Sequence, residues 1–200
     1  MMAQDQRAGA ATSGGDPAGA FIEECRRAER EAAELADLVL LIAGRMRGLL
    51  ADAHRFLTPA HRRADPAHYA RNAVRISPDN GISLFALVWQ PGQWTPVHDH
   101  GTWGVVGVVE GVLQERNYIR IDGHHDGDSD IKLRRGGITL LGPGSVSTFV
   151  PNPDHIHVTG VPADAPPVLS LHLYGREMNN FNIYDPEAGT RRLIQVAYEV

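Results

Sequence analysis

From residue 77 onward the sequence is a succession of short apolar segments separated by turn residues. The segments are rich in β-branched and aromatic side chains, and Pro, Gly, Asn and Asp divide them. In chain order they are ISLFALVWQ, WGVVGVVEG, VLQERNYIRI, ITLLG, SVSTFV, VLSLHLY and RRLIQVAYEV. Segments of this kind predict strands, and several of them are apolar on both faces. The pattern therefore predicts a mainly β structure, a closed or jelly-roll barrel rather than an open sheet.

The first third of the chain has a helical pattern instead. Residues 21–54 are strong helix formers with apolar side chains at helical spacing, interrupted by Gly44. A further helix is predicted over Pro66–Val74, with the proline near its start. The Ala, Gly and Ser content at the very start is typical of a disordered tail. We therefore expect one single domain with a tail at 1–18, an N-terminal helical region packed on the barrel at 19–76, and the barrel at 77–200.

Composition excludes several classes of partner. The formal net charge of −5 argues against a dedicated nucleic-acid binder. The longest apolar run, around Leu38 to Ala43, is far shorter than the roughly 20 residues that a membrane span needs. A single cysteine, Cys25, cannot form an internal disulfide and fits a reducing compartment. Because the chain also begins without the pattern of a secretory signal, we expect a cytoplasmic protein without nucleic-acid or membrane partners.

Four histidines at short spacings indicate a metal site. His98 and His100 are two residues apart, so in a strand they project to one side and can bind the same ion. The spacing from Gly92 to Gly111 resembles the first motif of the cupin family, G-x5-H-x-H-x3-E-x6-G. That motif has a metal-binding glutamate where this sequence has Gly104. A third ligand must come from elsewhere, and His155 and His157, which follow the turn GPGS, are the candidates.

A site of three histidines favours an anionic substrate. Three neutral imidazoles leave the +2 charge of a ferrous ion uncompensated, unlike a site with two histidines and one carboxylate. A substrate thiolate supplies such an anion, because coordination to the metal lowers the pKa of the thiol.

The segment SLHLY carries a second polar constellation. Ser170, His172 and Tyr174 alternate along one predicted strand, so their side chains share a face. A hydroxyl, an imidazole and a phenol in this arrangement can form a hydrogen-bonded relay. A buried polar strand without catalytic function would show the same pattern, and only the neighbouring histidines favour the catalytic interpretation.

Together these motifs resemble the cysteine dioxygenase family of cupin thiol dioxygenases, in its bacterial form. HDHGTWGVVGVVEG is similar to the family's HxH strand, and SLHLY to its Ser-x-His-x-Tyr motif. The resemblance implies a cupin fold, a double-stranded β-helix, with Fe(II) held by His98, His100 and His157. It selects His157 over His155 by the distance to SLHLY. It also implies that Tyr174 orients substrate and oxygen, and that Ser170 and His172 set its hydrogen bond.

The same resemblance assigns the substrate-binding residues. In the segment YARN, Tyr69 and Arg71 match the family's Tyr-x-Arg, in which the arginine pairs with the substrate carboxylate. A guanidinium suits bidentate carboxylate recognition. Relatives that act on 3-mercaptopropionate usually carry glutamine there, so Arg71 favours cysteine. The alternatives for this role are Arg75, Arg176 and Arg192.

The expected activity is therefore the oxidation of L-cysteine by O2 to cysteine sulfinic acid. The animal enzymes carry a crosslinking cysteine where this chain has Gly104, so no such crosslink can form. A dioxygenase of 3-mercaptopropionate or another small thiol is the first alternative. A metal-binding cupin without redox chemistry is the more remote one.

Overall fold

The computed structural model describes residues 15–79, 81–123, 126–151 and 155–199. Most of the tail predicted at 1–18 lies outside these ranges, and the first helix already begins within it. Asp16 caps this helix by accepting a hydrogen bond from Gly19 N at 3.0 Å. The helices are α1 (Pro17–Glu31), α2 (Leu35–Ala51) and α3 (Ala53–Phe56), followed by a short 3-10 helix at Ala60–Arg62. No helix in these ranges is long and apolar enough to cross a membrane.

Eleven strands form two antiparallel sheets within the described residues. The five-stranded sheet has the order β1-β2-β9-β4-β7, and the six-stranded sheet the order β11-β10-β3-β8-β5-β6. The strands are β1 (Ala70–Ile76), β2 (Ser83–Trp89), β3 (Val97–His98), β4 (Gly104–Glu110), β5 (Leu113–Arg120), β6 (Leu133–Leu141), β7 (Val146–Phe149), β8 (Ile156–Gly160), β9 (Val168–Tyr174), β10 (Asn180–Asp185) and β11 (Thr190–Gln195).

The eight strands from β2 to β9 have the connectivity of a jelly roll. They pair in the orders β2-β9-β4-β7 and β3-β8-β5-β6, and the chain passes from one sheet to the other at every connection except β5 to β6. This order is that of a double-stranded β-helix, the barrel found in cupins. The fold predicted from the sequence, a mainly β cupin barrel with an N-terminal helical region, is confirmed.

The helix predicted over Pro66–Val74 is wrong. Residues 70–76 form β1, which pairs with β2 and extends the barrel sheet by one strand. Along β1, Ala70, Asn72 and Val74 are buried, with partly buried residues between them. This period of two belongs to a strand, and pairing with β2 outweighs the helix propensity of the alanines.

The helices cover the outer face of the five-stranded sheet. Side chains of α1 and α2 form one apolar core with the outward residues of β2, β4 and β9. The opposite faces of these strands form a second core inside the barrel, with Phe85, Leu87 and Trp89 among its residues. β2 and β9 are buried along their whole length because both of their faces are covered. The barrel interior is thus enclosed from the helical side.

Candidate metal centre

Three histidines meet inside the barrel. His98 ends β3, His157 lies on the neighbouring strand β8, and the two are directly opposite each other in the sheet. His100 follows His98 by two residues. The ring centroids are 4.6 Å apart for His98 and His157, 4.8 Å for His98 and His100, and 4.9 Å for His100 and His157. One ring nitrogen from each lies within 4.8 Å of the others, so this three-histidine group could hold a metal ion.

The three imidazoles are neutral, which is the form that binds a metal. Burial lowers the pKa of His98 and His100 well below the ordinary value, and neighbouring histidines lower both further. Burial also lowers the pKa of His157. Three buried, neutral nitrogen donors within reach of one another fit a divalent transition-metal ion.

Hydrogen bonds and packing orient the rings. His98 Nδ1 lies 3.0 Å from the carbonyl oxygen of Pro96. A carbonyl only accepts, so Nδ1 carries the proton and Nε2 is the nitrogen left for a metal. The His100 ring stacks on Phe149 at 4.2 Å, and its Nδ1 has no hydrogen-bond partner among the described residues. Packing therefore holds His100 in place, whereas a hydrogen bond fixes His98.

Asp99, between the two histidines, anchors the turn that carries them. Its carboxylate accepts hydrogen bonds from Tyr184 Oη at 2.7 Å, Asn182 Nδ2 at 2.9 Å and Asn182 N at 3.2 Å. Arg176 donates to the carbonyl oxygen of His100 at 3.0 Å. The sequence had assigned no role to Asp99. Alternation along HDH places its side chain on the opposite face from the two histidines, where it can hold the backbone that carries them.

The position of the missing glutamate has no room for a side chain. A Cβ atom at Gly104 would overlap the ring of Phe149, whose Cε2 would lie 2.7 Å away. Phe149 fills the space in which a ligand from that position would stand, and it also packs against His100. The direct donor set is therefore three imidazoles without a carboxylate.

Behind His157 lies a carboxylate that the sequence interpretation missed. Glu115 on β5 is buried, and its Oε1 lies 3.5 Å from His157 Nδ1 and 3.4 Å from His155 Nε2. His157 Nδ1 faces this second group, which leaves Nε2 to the three-histidine group. Burial alone would raise the pKa of the Glu115 carboxyl, but interaction with the imidazoles of His155 and His157 holds it well below its usual range. Its position two residues after the apolar Leu113 on β5 is the sequence signal that could have indicated its burial, because residues two apart in a strand share a face.

His155 lies further from His100 than His157 does. Its ring centroid is 6.0 Å from that of His100, and the ring stacks on Phe149 at 4.8 Å with an interplanar angle of 9°. The structure thus brings His157 beside His98 and His100, and it places His155 with Glu115.

The SLHLY strand forms the hydrogen-bonded chain expected of it. Ser170 Oγ lies 3.0 Å from His172 Nε2, and His172 Nδ1 lies 3.2 Å from Tyr174 Oη. Trp89 Nε1 donates to Ser170 Oγ at 2.9 Å. Burial lowers the pKa of His172 to about 3 and raises that of the Tyr174 phenol, so both groups are neutral. With the His172 proton on Nδ1, the Tyr174 hydroxyl is free to donate into the cavity.

One cavity joins these groups. It contains seven of the eight site residues selected from the sequence, and Ser170 stands behind His172. Its lining consists of Tyr69, Arg71, Leu87, Trp89, Thr95, His98, His100, His157, Thr159, His172, Tyr174, Met178 and Phe181.

Arg71 reaches this cavity from β1. Its guanidinium donates to the carbonyl oxygens of Met178 at 2.5 Å and Ala197 at 3.2 Å, and lies 4.9 Å from the centre of the Phe85 ring. An arginine has five N–H groups, so these two hydrogen bonds leave donors for a ligand. Tyr69, two residues earlier, stacks on Trp89 at 4.6 Å.

The alternative arginines are placed elsewhere. Arg75 pairs with Asp16 on the outside, and Arg176 supports the His100 carbonyl. Arg192 lies beside β10 at a separate surface pocket. Of these four arginines, only Arg71 is part of the lining that the described residues give the cavity.

No protein-family model matches the chain. Solved structures with a similar fold include an uncharacterized protein with a double-stranded β-helix domain from Klebsiella pneumoniae subsp. pneumoniae, at 16% identity over 71% of this chain and 98% of that one, with a TM-score of 0.43. A DMSP lyase from Ruegeria pomeroyi matches at 17% identity over 61% and 55%, with a TM-score of 0.39. A hydroquinone 1,2-dioxygenase in complex with Cd2+ matches at 13% identity over 61% and 68%, with a TM-score of 0.41. The fold rests on the strand order described above, which is that of a double-stranded β-helix.

Proposed function

We propose that this protein is a mononuclear non-haem Fe(II) thiol dioxygenase that oxidises L-cysteine with O2 to cysteine sulfinic acid. Both oxygen atoms are added to the sulfur, so the thiol and one O2 account for every atom of the product. One observation carries the proposal. A three-histidine group without a carboxylate ligand shares its cavity with a guanidinium and with a buried, protonated phenol.

His98, His100 and His157 would hold the iron. Bound Fe(II) would supply the centre at which the thiolate and O2 are brought together. Because all three ligands are neutral and Phe149 occupies the space beside Gly104, the substrate thiolate is the group that compensates the metal charge directly. The Glu115 carboxylate adds a negative charge on the far side of His157.

Arg71 would bind the substrate carboxylate. Its guanidinium is held by two backbone carbonyls and by the Phe85 ring, so it is oriented before a ligand arrives. A preoriented guanidinium loses less conformational freedom on binding than a mobile one. Arg71 and the three histidines line the same cavity, which suits a short molecule with a thiol at one end and a carboxylate at the other.

Tyr174 would donate a hydrogen bond to the reacting groups. Burial raises the pKa of its phenol, so the hydroxyl keeps its proton at neutral pH. The chain from Trp89 through Ser170 and His172 fixes its orientation.

The test compares O2 consumption with L-cysteine, 3-mercaptopropionate and cysteamine by iron-loaded protein. We expect cysteine to be the best substrate, and cysteamine, which lacks the carboxylate, to be poor. Arg71→Gln should lower kcat/KM for cysteine by about 30-fold or more, mainly through KM, because truncating one member of a buried charge pair costs about 2–5 kcal/mol. Arg75→Gln on the same strand is the matched control, since Arg75 lies outside the cavity and pairs with Asp16.

Four outcomes would contradict the proposal. Preference for 3-mercaptopropionate would replace cysteine as the substrate. Preference for cysteamine, or unchanged kinetics in Arg71→Gln, would remove Arg71 from the binding site. Tightly held zinc without O2 uptake on any thiol would indicate a cupin without redox chemistry.

A further inference from the structure

Glu115, His155 and His157 form a compact triangle of donor atoms, here called the Glu115 cluster. His155 Nε2 lies 3.3 Å from His157 Nδ1 and 3.4 Å from Glu115 Oε1, and His157 Nδ1 lies 3.5 Å from the same carboxylate oxygen. All three distances are nearly equal. The cluster uses the His157 nitrogen that faces away from His98 and His100.

Direct hydrogen bonds explain these distances poorly. Glu115 is buried, and an ionised carboxylate that receives N–H donors in a buried site draws them to about 2.7–2.9 Å. Both nitrogens instead lie half an ångström or more beyond that range. They also approach each other as closely as they approach the oxygen.

Coordination explains the same distances well. Ligand atoms about 2.0–2.2 Å from a tetrahedral zinc ion lie about 3.3–3.6 Å from one another. Two imidazole nitrogens and one carboxylate oxygen are a donor set that zinc commonly takes in proteins. The His155 side chain is 22% exposed, which gives an ion a route from solvent and a water molecule access to a fourth position.

We propose that the Glu115 cluster is a second divalent-cation site with a preference for zinc-like ions, which shares His157 with the three-histidine group. A neutral imidazole has one lone pair, so His157 serves the three-histidine group through Nε2 or the Glu115 cluster through Nδ1. The two sites therefore compete for His157. This inference does not depend on the thiol dioxygenase activity.

The experiment removes the first site and asks whether the second still binds. The double variant His98→Ala/His100→Ala, freed of metal by a chelator, is titrated with Co2+ and bound metal is counted. We expect one Co2+ per chain, with the intense visible absorption of a tetrahedral ion, and displacement by Zn2+. Adding Glu115→Gln or His155→Ala to the double variant should abolish this binding.

Matched controls are His54→Ala and Glu187→Gln, which change an exposed histidine and an exposed glutamate. Neither should alter Co2+ binding by the double variant. If the double variant does not fold, His98→Asn/His100→Asn removes the same imidazoles with polar side chains, and the same outcomes apply. A folded double variant that binds no Co2+, or one whose binding survives either Glu115→Gln or His155→Ala, overturns the proposal.

Discussion

Tyr174 combines a protonated phenol with an orientation that three other residues fix. Its hydroxyl lies 3.2 Å from His172 Nδ1, and His172 is held in turn by Ser170. Burial raises the pKa of the phenol, so the hydroxyl keeps its proton at neutral pH in the metal-free protein. Its proposed contribution is therefore a hydrogen bond to bound substrate or oxygen rather than a bond to the metal.

Tyr174→Phe should keep its iron and lose turnover. Removing one preorganised hydrogen-bond donor from a reaction site costs about 100-fold or more in kcat. His172→Ala should have a milder effect, about 10-fold, since it acts through Tyr174. Iron content and single-turnover rates measured on the same samples separate the two roles. Loss of iron in Tyr174→Phe would show that the phenol supports the fold or the ligands.

At the scale of strands, the sequence predicted which side chains share one face, because side chains alternate between the two faces of a strand. SLHLY predicted three polar side chains on one face, and β9 places Ser170, His172 and Tyr174 inside the barrel with the intervening leucines toward the helices. The HxH spacing likewise brought His98 and His100 together. The SLHLY pattern depends only on the geometry of one strand, which the sequence contains, whereas His100 lies just beyond the end of β3.

Pairing between distant strands could not be predicted in the same way. β1 appeared helical because its alanines favour helices, and its partner β2 decides the outcome. Glu115 reaches His157 only because β5 lies beside β8, with Glu115 opposite Thr159. Nothing within the segment QERN indicates which strand will lie next to it.

The packing of the Phe149 ring on β7 against Gly104 on β4 leads to a further prediction. Gly104→Ala places a Cβ against the Phe149 ring, which packs on both His100 and His155. We expect the variant to lose about 1–3 kcal/mol of unfolding free energy, as is typical of overpacking, and to bind iron more weakly because His100 loses its packing partner. Urea unfolding and iron titration measure the two effects.

Two comparisons control this prediction. Gly107→Ala, on the same strand, meets the methyl groups of Leu50 and the Cγ atom of Met46 instead of a ring next to the histidines, so it should leave iron binding unchanged. Combining Gly104→Ala with Phe149→Leu should restore part of the unfolding free energy, because a smaller side chain relieves the overlap, but not the iron affinity, because His100 still lacks its packing partner. Unchanged stability and iron affinity in Gly104→Ala would contradict this account of the missing glutamate.

The molecule places four buried histidines inside the barrel and its larger apolar core on the helical side. His98, His100, His157 and His172 are all buried within the barrel, where burial disfavours their charged forms. The core between the helices and the five-stranded sheet offsets the cost of enclosing these polar groups. The site therefore depends on packing on the opposite face of the same strands.

This arrangement predicts a pH-dependent stability of the metal-free protein. In the unfolded chain these histidines take up protons as the pH falls through about 6.5. In the folded chain burial lowers the pKa of each, to about 3 for His172. Between these values the unfolded state binds more protons, so the free energy of unfolding falls with falling pH, by up to about 1.4 kcal/mol per pH unit for each histidine.

Urea unfolding of chelator-treated protein measures this pH dependence. The series starts at pH 7.5, about one unit above the ordinary histidine pKa, and goes down in steps to about pH 5. Replacing His172 with Phe should remove one proton from the difference in bound protons between the unfolded and folded states, so the free energy of unfolding should depend less steeply on pH. His54→Ala, at an exposed position, should leave this pH dependence unchanged. With saturating iron, the free energy of unfolding should fall more steeply as the pH falls, because a metal that binds only neutral imidazoles dissociates as they become protonated. If the free energy of unfolding did not change between pH 7 and 5, these histidines would keep their ordinary pKa in the folded barrel, and the prediction would be wrong.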